Sequence, residues 1–301
     1  MRIVSVLPSA TEIVCALGAR SELVGRSAEC DYPADVRDLP VVMAARTDDR
    51  DRPSAEIDRR VRRARANGES LYELDVERLR TLRPDVLLTQ DLGGVCSVTD
   101  EEVAQACSAA GASPRIVSLA PRTLDEVWAT FDTVGRAVGR SDEARRLMSS
   151  LRRRTRPVAS PPAARVAVVE WLDPPILAGL WTPDVVRVAG GIPLGPVSGA
   201  AGQRTTWKEI AALEPDLLLL SPCSFSVDRT RAELADPEVS RPIGGIAPAR
   251  GTYVADEAFF SRPGPRLADG VDLIRALLRG EVPRSSMPVA RWNATRQEAT
   301  A

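Results

Sequence analysis

The 301-residue chain reads as an α/β protein of two related three-layer lobes with mainly parallel sheets, joined by a long rigid helix, with a ligand cleft between the lobes. Three observations predict this. Short apolar strands alternate with amphipathic helices from the N-terminus onward, the pattern of parallel strands covered on both faces. The segment Leu79-Arg80-Thr81-Leu82-Arg83-Pro84-Asp85-Val86-Leu87-Leu88 recurs as Ile210-Ala211-Ala212-Leu213-Glu214-Pro215-Asp216-Leu217-Leu218-Leu219, a helix face followed by a Pro-Asp turn and a buried strand. A proline-rich break, Pro157-Val158-Ala159-Ser160-Pro161-Pro162, precedes a fresh start of the alternation. The expected division is a first lobe over 1–121, a connecting helix over 122–157, a second lobe over 163–280 and a disordered tail over 281–301.

Each element has its own signal. Residues 2–6 are a strand, after which Ser9 and Glu12 have capping-box spacing. The helix they open carries Ile13, Val14 and Leu17 on one face and stops at Gly18. Residues 23–25 form a short strand and 54–65 a strongly basic helix. A helix over 76–82 turns through Arg83-Pro84-Asp85 into a strand over 86–89. Residues 100–110 are helical and 116–119 a strand. Helix then runs almost without pause through 123–138 and 142–154, broken at Gly139, before a strand at 166–169. A weaker echo pairs the helix of 12–18 with one over 184–190.

Composition narrows the chemistry. There is no histidine, which removes the Ser-His-Asp triad, the Cys-His pair and the HExxH zinc site. Forty basic against 41 acidic residues give a net charge of −1, so no global field draws the chain to nucleic acid or to an anionic membrane. The arginine-rich stretch of 50–65 lacks interleaved aromatics and reads as a solvated helix face. No segment approaches the roughly 18 apolar residues of a membrane span, and the N-terminus lacks a secretory apolar region. The expected location is the cytoplasm. Five cysteines without a CxxC pair are read as reduced thiols, with no protein-ligated metal expected.

In an open α/β sheet, ligand groups come from loops at the carboxyl ends of strands. The first such loop, Leu7-Pro8-Ser9-Ala10-Thr11, ends in a helix N-terminus suited to an anionic or amide group. The second packs Glu29, Cys30, Asp31 and Tyr32 into four positions, and the third runs from Gln90 and Asp91 through Gly93 and Gly94 to Cys96. In the second lobe the corresponding stretches hold Trp171 and Asp173, then Trp181, then Cys223 and Phe225, and finally Phe260, Ser261 and Arg262. Trp171, Trp181, Trp207, Phe225, Phe259 and Phe260 all sit in or beside these loops, in a chain with only five tryptophans and four phenylalanines. That concentration points to a flat or apolar ligand.

Several of these motifs resemble one family. Val4-Ser5-Val6-Leu7-Pro8-Ser9-Ala10-Thr11-Glu12, Glu29-Cys30-Asp31-Tyr32-Pro33, Glu170-Trp171-Leu172-Asp173-Pro174-Pro175 and Phe260-Ser261-Arg262-Pro263-Gly264-Pro265-Arg266 are similar to the iron-siderophore and cobalamin class of substrate-binding proteins. The similarity is greatest to the cobalamin-binding-like subgroup of this helical-backbone class, partners of ABC transporters, and spans about residues 2–280. It implies two lobes, a rigid joining helix and a bulky ligand of cobalamin, tetrapyrrole or siderophore type, a corrinoid among them. That subgroup commonly has histidine where this chain has Ala28 and Leu180, and cysteine where it has Gly93. Without a signal peptide, storage, sensing or handover inside the cell is expected rather than delivery to a transporter.

On this reading Trp171, Trp181, Phe225 and Phe260 supply apolar contact. Arg262 and the Ser9 helix end take acidic or amide substituents, and Glu29, Asp31 and Asp173 accept hydrogen bonds. An alternative is an enzyme recruited on the same scaffold, with Cys30 or Cys96 as nucleophile and Glu29, Asp31 or Asp173 as acid and base. A third reading makes the arginine-rich helix a docking face, centred on Arg59, Arg60, Arg62 and Arg63.

Overall fold

The computed structural model describes residues 1–91, 98–158, 164–283 and 287–293. Its contacts divide the chain into two units. The first comprises Met1–Asp51, Arg59–Pro121 and Asp125–Arg153, and the second Arg52–Asp58, Arg122–Leu124 and Arg154–Ala301.

In the first unit the order is β1 (Ile3–Ser5), α1 (Pro8–Ala16), β2 (Leu23–Ser27), β3 (Val41–Ala45), α2 (Ser54–Ala66), β4 (Tyr72–Leu74), α3 (Val76–Leu82), β5 (Val86–Thr89), α4 (Asp100–Ala109), β6 (Arg115–Ser118), α5 (Leu124–Ala137) and α6 (Ser141–Arg154). The strands form one sheet in the order β4-β3-β2-β1-β5-β6, parallel except for the β3–β4 pair. β1 and β5 are buried along their whole length, as strands with helices on both sides must be. Val4, Val42, Leu79 and Leu87 fill one core beside them.

The second unit continues with β7 (Arg165–Leu172), β8 (Pro175–Leu177), α7 (Thr182–Val188), β9 (Ile192–Leu194), β10 (Gln203–Arg204), α8 (Trp207–Ala212), β11 (Leu217–Leu220), α9 (Val227–Glu233), α10 (Pro237–Gly244), β12 (Thr252–Ala255), α11 (Leu267–Leu278) and β13 (Val289–Trp292). Its sheet runs β10-β8-β7-β11-β12-β13, with β9 also paired to β7. The four leucines of β11 are fully buried. The start of α2, residues 54–58, is counted by its contacts with this unit: Asp58 pairs with Arg204, and Glu233 accepts from the Ser54 backbone N–H and hydroxyl.

The sequence repeat has a structural meaning. In each copy a short helix, α3 or α8, leads through a left-handed residue, Arg83 at φ 42 or Glu214 at φ 45, into a buried strand. The Asp that follows the turn proline then accepts the backbone N–H at the start of the neighbouring strand. Arg2 N donates to Asp85 Oδ2 at 2.7 Å, and Arg165 N donates to Asp216 Oδ2 at 2.7 Å.

Some elements differ from expectation. The break expected at Gly139 is present between α5 and α6, with φ 69, whereas the segment expected as a separate connection over 122–157 is counted by its contacts with the first unit over 125–153. β3 was not foreseen; its apolar run starts directly after Pro40 in a loop rich in charge. Within the stretch expected to be a disordered tail, Val289–Trp292 pairs antiparallel with β12, because Trp292 has an apolar core to enter. The capping box at Ser9 does not form. Pro8 takes the first helical turn, where its missing N–H costs nothing, and Leu7 becomes the N-cap with no side-chain bond. Capping boxes occur instead at Thr99 with Glu102 and at Thr206 with Glu209. Among the described residues no helix is long and apolar enough to cross a membrane.

The α5–α6 packing makes a sharp test. A Cβ on Gly135 would lie 2.5 Å from the Ala144 Cβ and 3.0 Å from the Arg140 carbonyl oxygen. Replacing a helical glycine by alanine gains up to about 1 kcal/mol in propensity, while overpacking costs about 1–3 kcal/mol. Gly135→Ala is therefore expected to destabilise the protein in urea unfolding, against the propensity trend.

Candidate functional site

Adjacent parallel strands end at the same edge, so in the first unit β1, β2 and β5 deliver their loops together. The floor of this edge is a buried hydroxyl and thiol cluster. Thr11 Oγ1 donates to Ser5 Oγ at 2.9 Å and lies 3.1 Å from Cys30 Sγ. Ser27 Oγ is 3.2 Å from the same sulfur, and Ser5 Oγ donates to the Leu7 carbonyl oxygen. Cys30 is 1% exposed. A nucleophile must reach its substrate, and this thiol is closed off beneath the surface, which counts against its proposed role in catalysis.

At the same edge lie groups that have no hydrogen-bond partner among the described residues. Ser9 sits inside the first turn of α1, and its Oγ is buried with no hydrogen bond. Thr89 Oγ1 at the end of β5 and Gln90 Oε1 just beyond it are buried and unpaired as well. Buried polar atoms are nearly always satisfied, so three at one sheet edge call for an explanation. Pro8 is half-buried, while Ala10 is buried in the helix base. Glu29 and Tyr32 are exposed, Asp31 and Asp91 half-buried, and Cys96 lies outside the described residues, as does Gly93. The Tyr32-Pro33 peptide is cis.

In the second unit the aromatic residues mostly face inward. Trp181 is buried and donates its indole N–H to the Phe260 carbonyl oxygen at 2.6 Å. Phe225, Phe259 and Phe260 are buried too, so these rings support the loops from within and do not offer an open face. Trp171 is the half-buried exception, edge-on to Phe225 with ring centroids 5.4 Å apart. Arg229 stacks over the other ring of that pair, 3.6 Å from the Phe225 centroid. The Trp171 Nε1 is buried and has no acceptor. Cys223 and Ser261 are half-buried and Asp173, before a cis proline, is exposed.

Arg262 was expected to meet acidic substituents. Instead its Nε lies 2.5 Å from Glu257 Oε1 in a pair whose side chains are only 13% and 8% exposed. An arginine held this way braces its own loop. Cys30 and Glu29 belong to the first unit and Asp173 to the second. Among the described residues no group of three or more Cys, Asp or Glu side chains is arranged to hold a metal ion.

Glu170 enters the sequence reading only within a motif, with no role of its own. It is the lone acid of β7, among residues that are apolar after Arg165, and that was the available signal. Burial pushes its pKa up to about 7 from 4.5, with the nearby Gly179 backbone N–H acting against the rise. Gly202 packs against it so closely that a Cβ there would be 2.0 Å from Oε1.

The raised value fixes the sign of a pH effect. A folded-state pKa above the unfolded one means the native state binds this proton more tightly, so the stabilisation is complete below about 4.5 and lost as pH rises through about 7. The full span is about 3 kcal/mol. Urea unfolding on either side of this window should show Glu170→Gln gaining on the parent protein at the alkaline end by an amount of this order. For the thiols, burial raises Cys15 to about 11 and also raises Cys107. Mass spectrometry after brief alkylation of the native protein should find Cys223 labelled while Cys30 and Cys107 stay protected.

Comparison with known proteins agrees with this architecture. No curated protein matches the chain. A periplasmic heme-binding protein from Pseudomonas aeruginosa superposes with a TM-score of 0.70 at 22% identity, over 96% of this chain and 97% of that one. A periplasmic vitamin B12-binding protein of Vibrio cholerae gives 0.59 at 20% identity, over 92% and 96%. An Fe3+-hydroxamate transport system protein from Saccharomonospora viridis gives 0.62 at 18% identity, over 92% of each chain. At such identities the likeness is one of fold. The family model described as "Periplasmic binding protein" matches residues 3–240, and the chain belongs to that family.

Proposed function

We propose that this protein is a receptor that holds a bulky, partly flat ligand of tetrapyrrole, corrinoid or siderophore type at its strand-end loops. The observation that carries the reading is the group of buried, unpaired polar atoms at the β1–β5 edge: Ser9 Oγ, Thr89 Oγ1 and Gln90 Oε1. Such groups cost about 1–3 kcal/mol each when left unsatisfied, and a ligand bearing carbonyl, carboxylate or amide substituents relieves that cost. Ser9 lies at the N-terminus of α1, whose dipole favours an electron-rich group. The ligands named for the structural neighbours, heme, vitamin B12 and Fe3+-hydroxamate, share this mixture of a broad body and polar periphery.

Binding is the role assigned because the unpaired polar atoms at this edge are hydrogen-bonding partners for a ligand, while the Cys30 thiol is buried beneath them. Titration with haemin, cyanocobalamin and a ferric hydroxamate, followed by absorbance and tryptophan fluorescence, should give saturable binding of at least one. Replacing Ser9 by Ala and Thr89 by Val together removes two hydrogen-bonding partners, and weakening of that ligand by about tenfold is expected. Absence of binding by all three would defeat the reading.

A further inference from the structure

We infer that the second unit carries a further binding site, a groove at the sheet edge opposite the strand-end loops, which takes a small organic monocarboxylate on the guanidinium of Arg291 with the Trp292 indole N–H as second donor. The site is independent of the receptor role proposed above.

β12 runs parallel to β11, so its exit at Ala255 lies at the edge where ligand loops gather and its entry, Gly251 and Thr252, at the other. β13 is antiparallel to β12, with Thr252 opposite Trp292, and therefore ends where β12 begins. Between these strand ends and the loop after α10 lies a groove of about 220 Å³, lined by Ile246, Pro248, Gly251, Thr252, Arg291 and Trp292 among others. Pockets for drug-sized molecules span about 300–1,000 Å³. The groove is too small for a tetrapyrrole and of a size for a small acid.

Its walls are set in advance. Gly251 N–H donates to the Pro248 carbonyl oxygen at 2.9 Å, and Leu218 N–H to the Gly251 carbonyl oxygen at 3.2 Å, which ties this turn to the sheet. Gly251 has φ 94, a left-handed backbone that favours glycine. The missing side chain also makes room for the guanidinium, since a Cβ there would lie 3.1 Å from Arg291 Nε and 3.2 Å from its Nη2. Arg291 stands opposite Tyr253 in the β12–β13 register, with its Cζ 6.0 Å from the ring centroid. The guanidinium is thus placed by a glycine and an aromatic ring, without an acid.

Its charge is left for a ligand. Arg291 is exposed and pairs with no carboxylate among the described residues, and no acid among them lines the groove. The neighbouring Arg250 is engaged, because its guanidinium donates to the Leu278 carbonyl oxygen. Trp292 is 8% exposed, packs into the core of the unit and has a buried indole nitrogen with no acceptor. Buried indole N–H groups usually have a partner. A carboxylate supplies two oxygens, one for the guanidinium and one for the indole.

The rest of the lining selects the class of anion. Ile246, Ala247 and Pro248 give apolar contact suited to an organic body. Arg291 is the one cation in the lining among the described residues. The C-terminal turn of α10, whose last residue Gly244 lines the groove, carries partial negative charge. A single negative charge is matched here, and a dianion such as phosphate is not.

The test uses the full chain with benzoate as probe, followed by calorimetry and by the nitrogen–proton NMR signal of the Trp292 indole, which Trp292→Phe identifies. Benzoate should bind saturably with a Kd of about 1 mM or below and should shift that signal. Benzamide, which keeps the shape without the charge, and inorganic phosphate should each bind at least about tenfold more weakly. Arg291→Gln, at an exposed position, should weaken benzoate by about tenfold or more with unfolding in urea unchanged. Gly251→Ala, which pushes the guanidinium aside, should weaken it as well. Lack of saturable benzoate binding up to about 10 mM overturns the inference. An Arg291→Gln variant with the parent affinity, benzamide or phosphate binding as tightly as benzoate, or an indole signal that benzoate leaves unmoved overturns it equally.

Discussion

Burial of the central strands on both faces governs where this protein can do anything. β1 and β5 in one unit and β11 in the other are enclosed along their whole length, so their side chains are spent on cores. What remains for recognition is the edge where parallel strands stop, and there the backbone turns outward with helix N-termini beside it. The Pro-Asp turns help set that edge. Asp85 and Asp216 each tie the entrance of a central strand to the exit of a helix, and this shared bond is the physical content of the sequence repeat.

The two units build different floors under their loops. In the first, neutral groups satisfy one another: Thr11, Ser5, Ser27 and Cys30 form a compact polar cluster that joins the ends of β1 and β2 to the first turns of α1. In the second, an ionic pair does this work: Arg262 and Glu257, with side chains 13% and 8% exposed, compensate each other. A low-dielectric setting makes such a paired group rigid. Both units thus brace their loops from beneath, one with neutral groups and the other with charges.

Much of the architecture was legible because it rests on local signals. The Pro-Asp turns, the glycine at 139 and the long apolar strands announce themselves in the sequence. Residues of the loops were legible as positions, but their orientations were not. Trp181, Phe225 and Phe260 read as ligand contacts because aromatics in strand-end loops are conspicuous, yet packing turned them inward. Arg262 read as a free cation because Glu257, its partner, lies on the preceding turn and shows no pattern linking the two. Ser9 read as a cap because spacing does not register that Pro8 enters the helix first. Each miss came from competition between tertiary packing and a local rule.

The central claim is that the strand-end edge of the first unit is the ligand surface. Hydrogen–deuterium exchange of the protein with and without a saturating ligand tests it most directly. Protection on binding is expected at 7–11 and 89–91, around Ser9, Thr89 and Gln90, with the strand cores unchanged. Protection confined elsewhere, such as the groove of about 220 Å³ beside Arg291 and Trp292, with 7–11 unaffected, would contradict it.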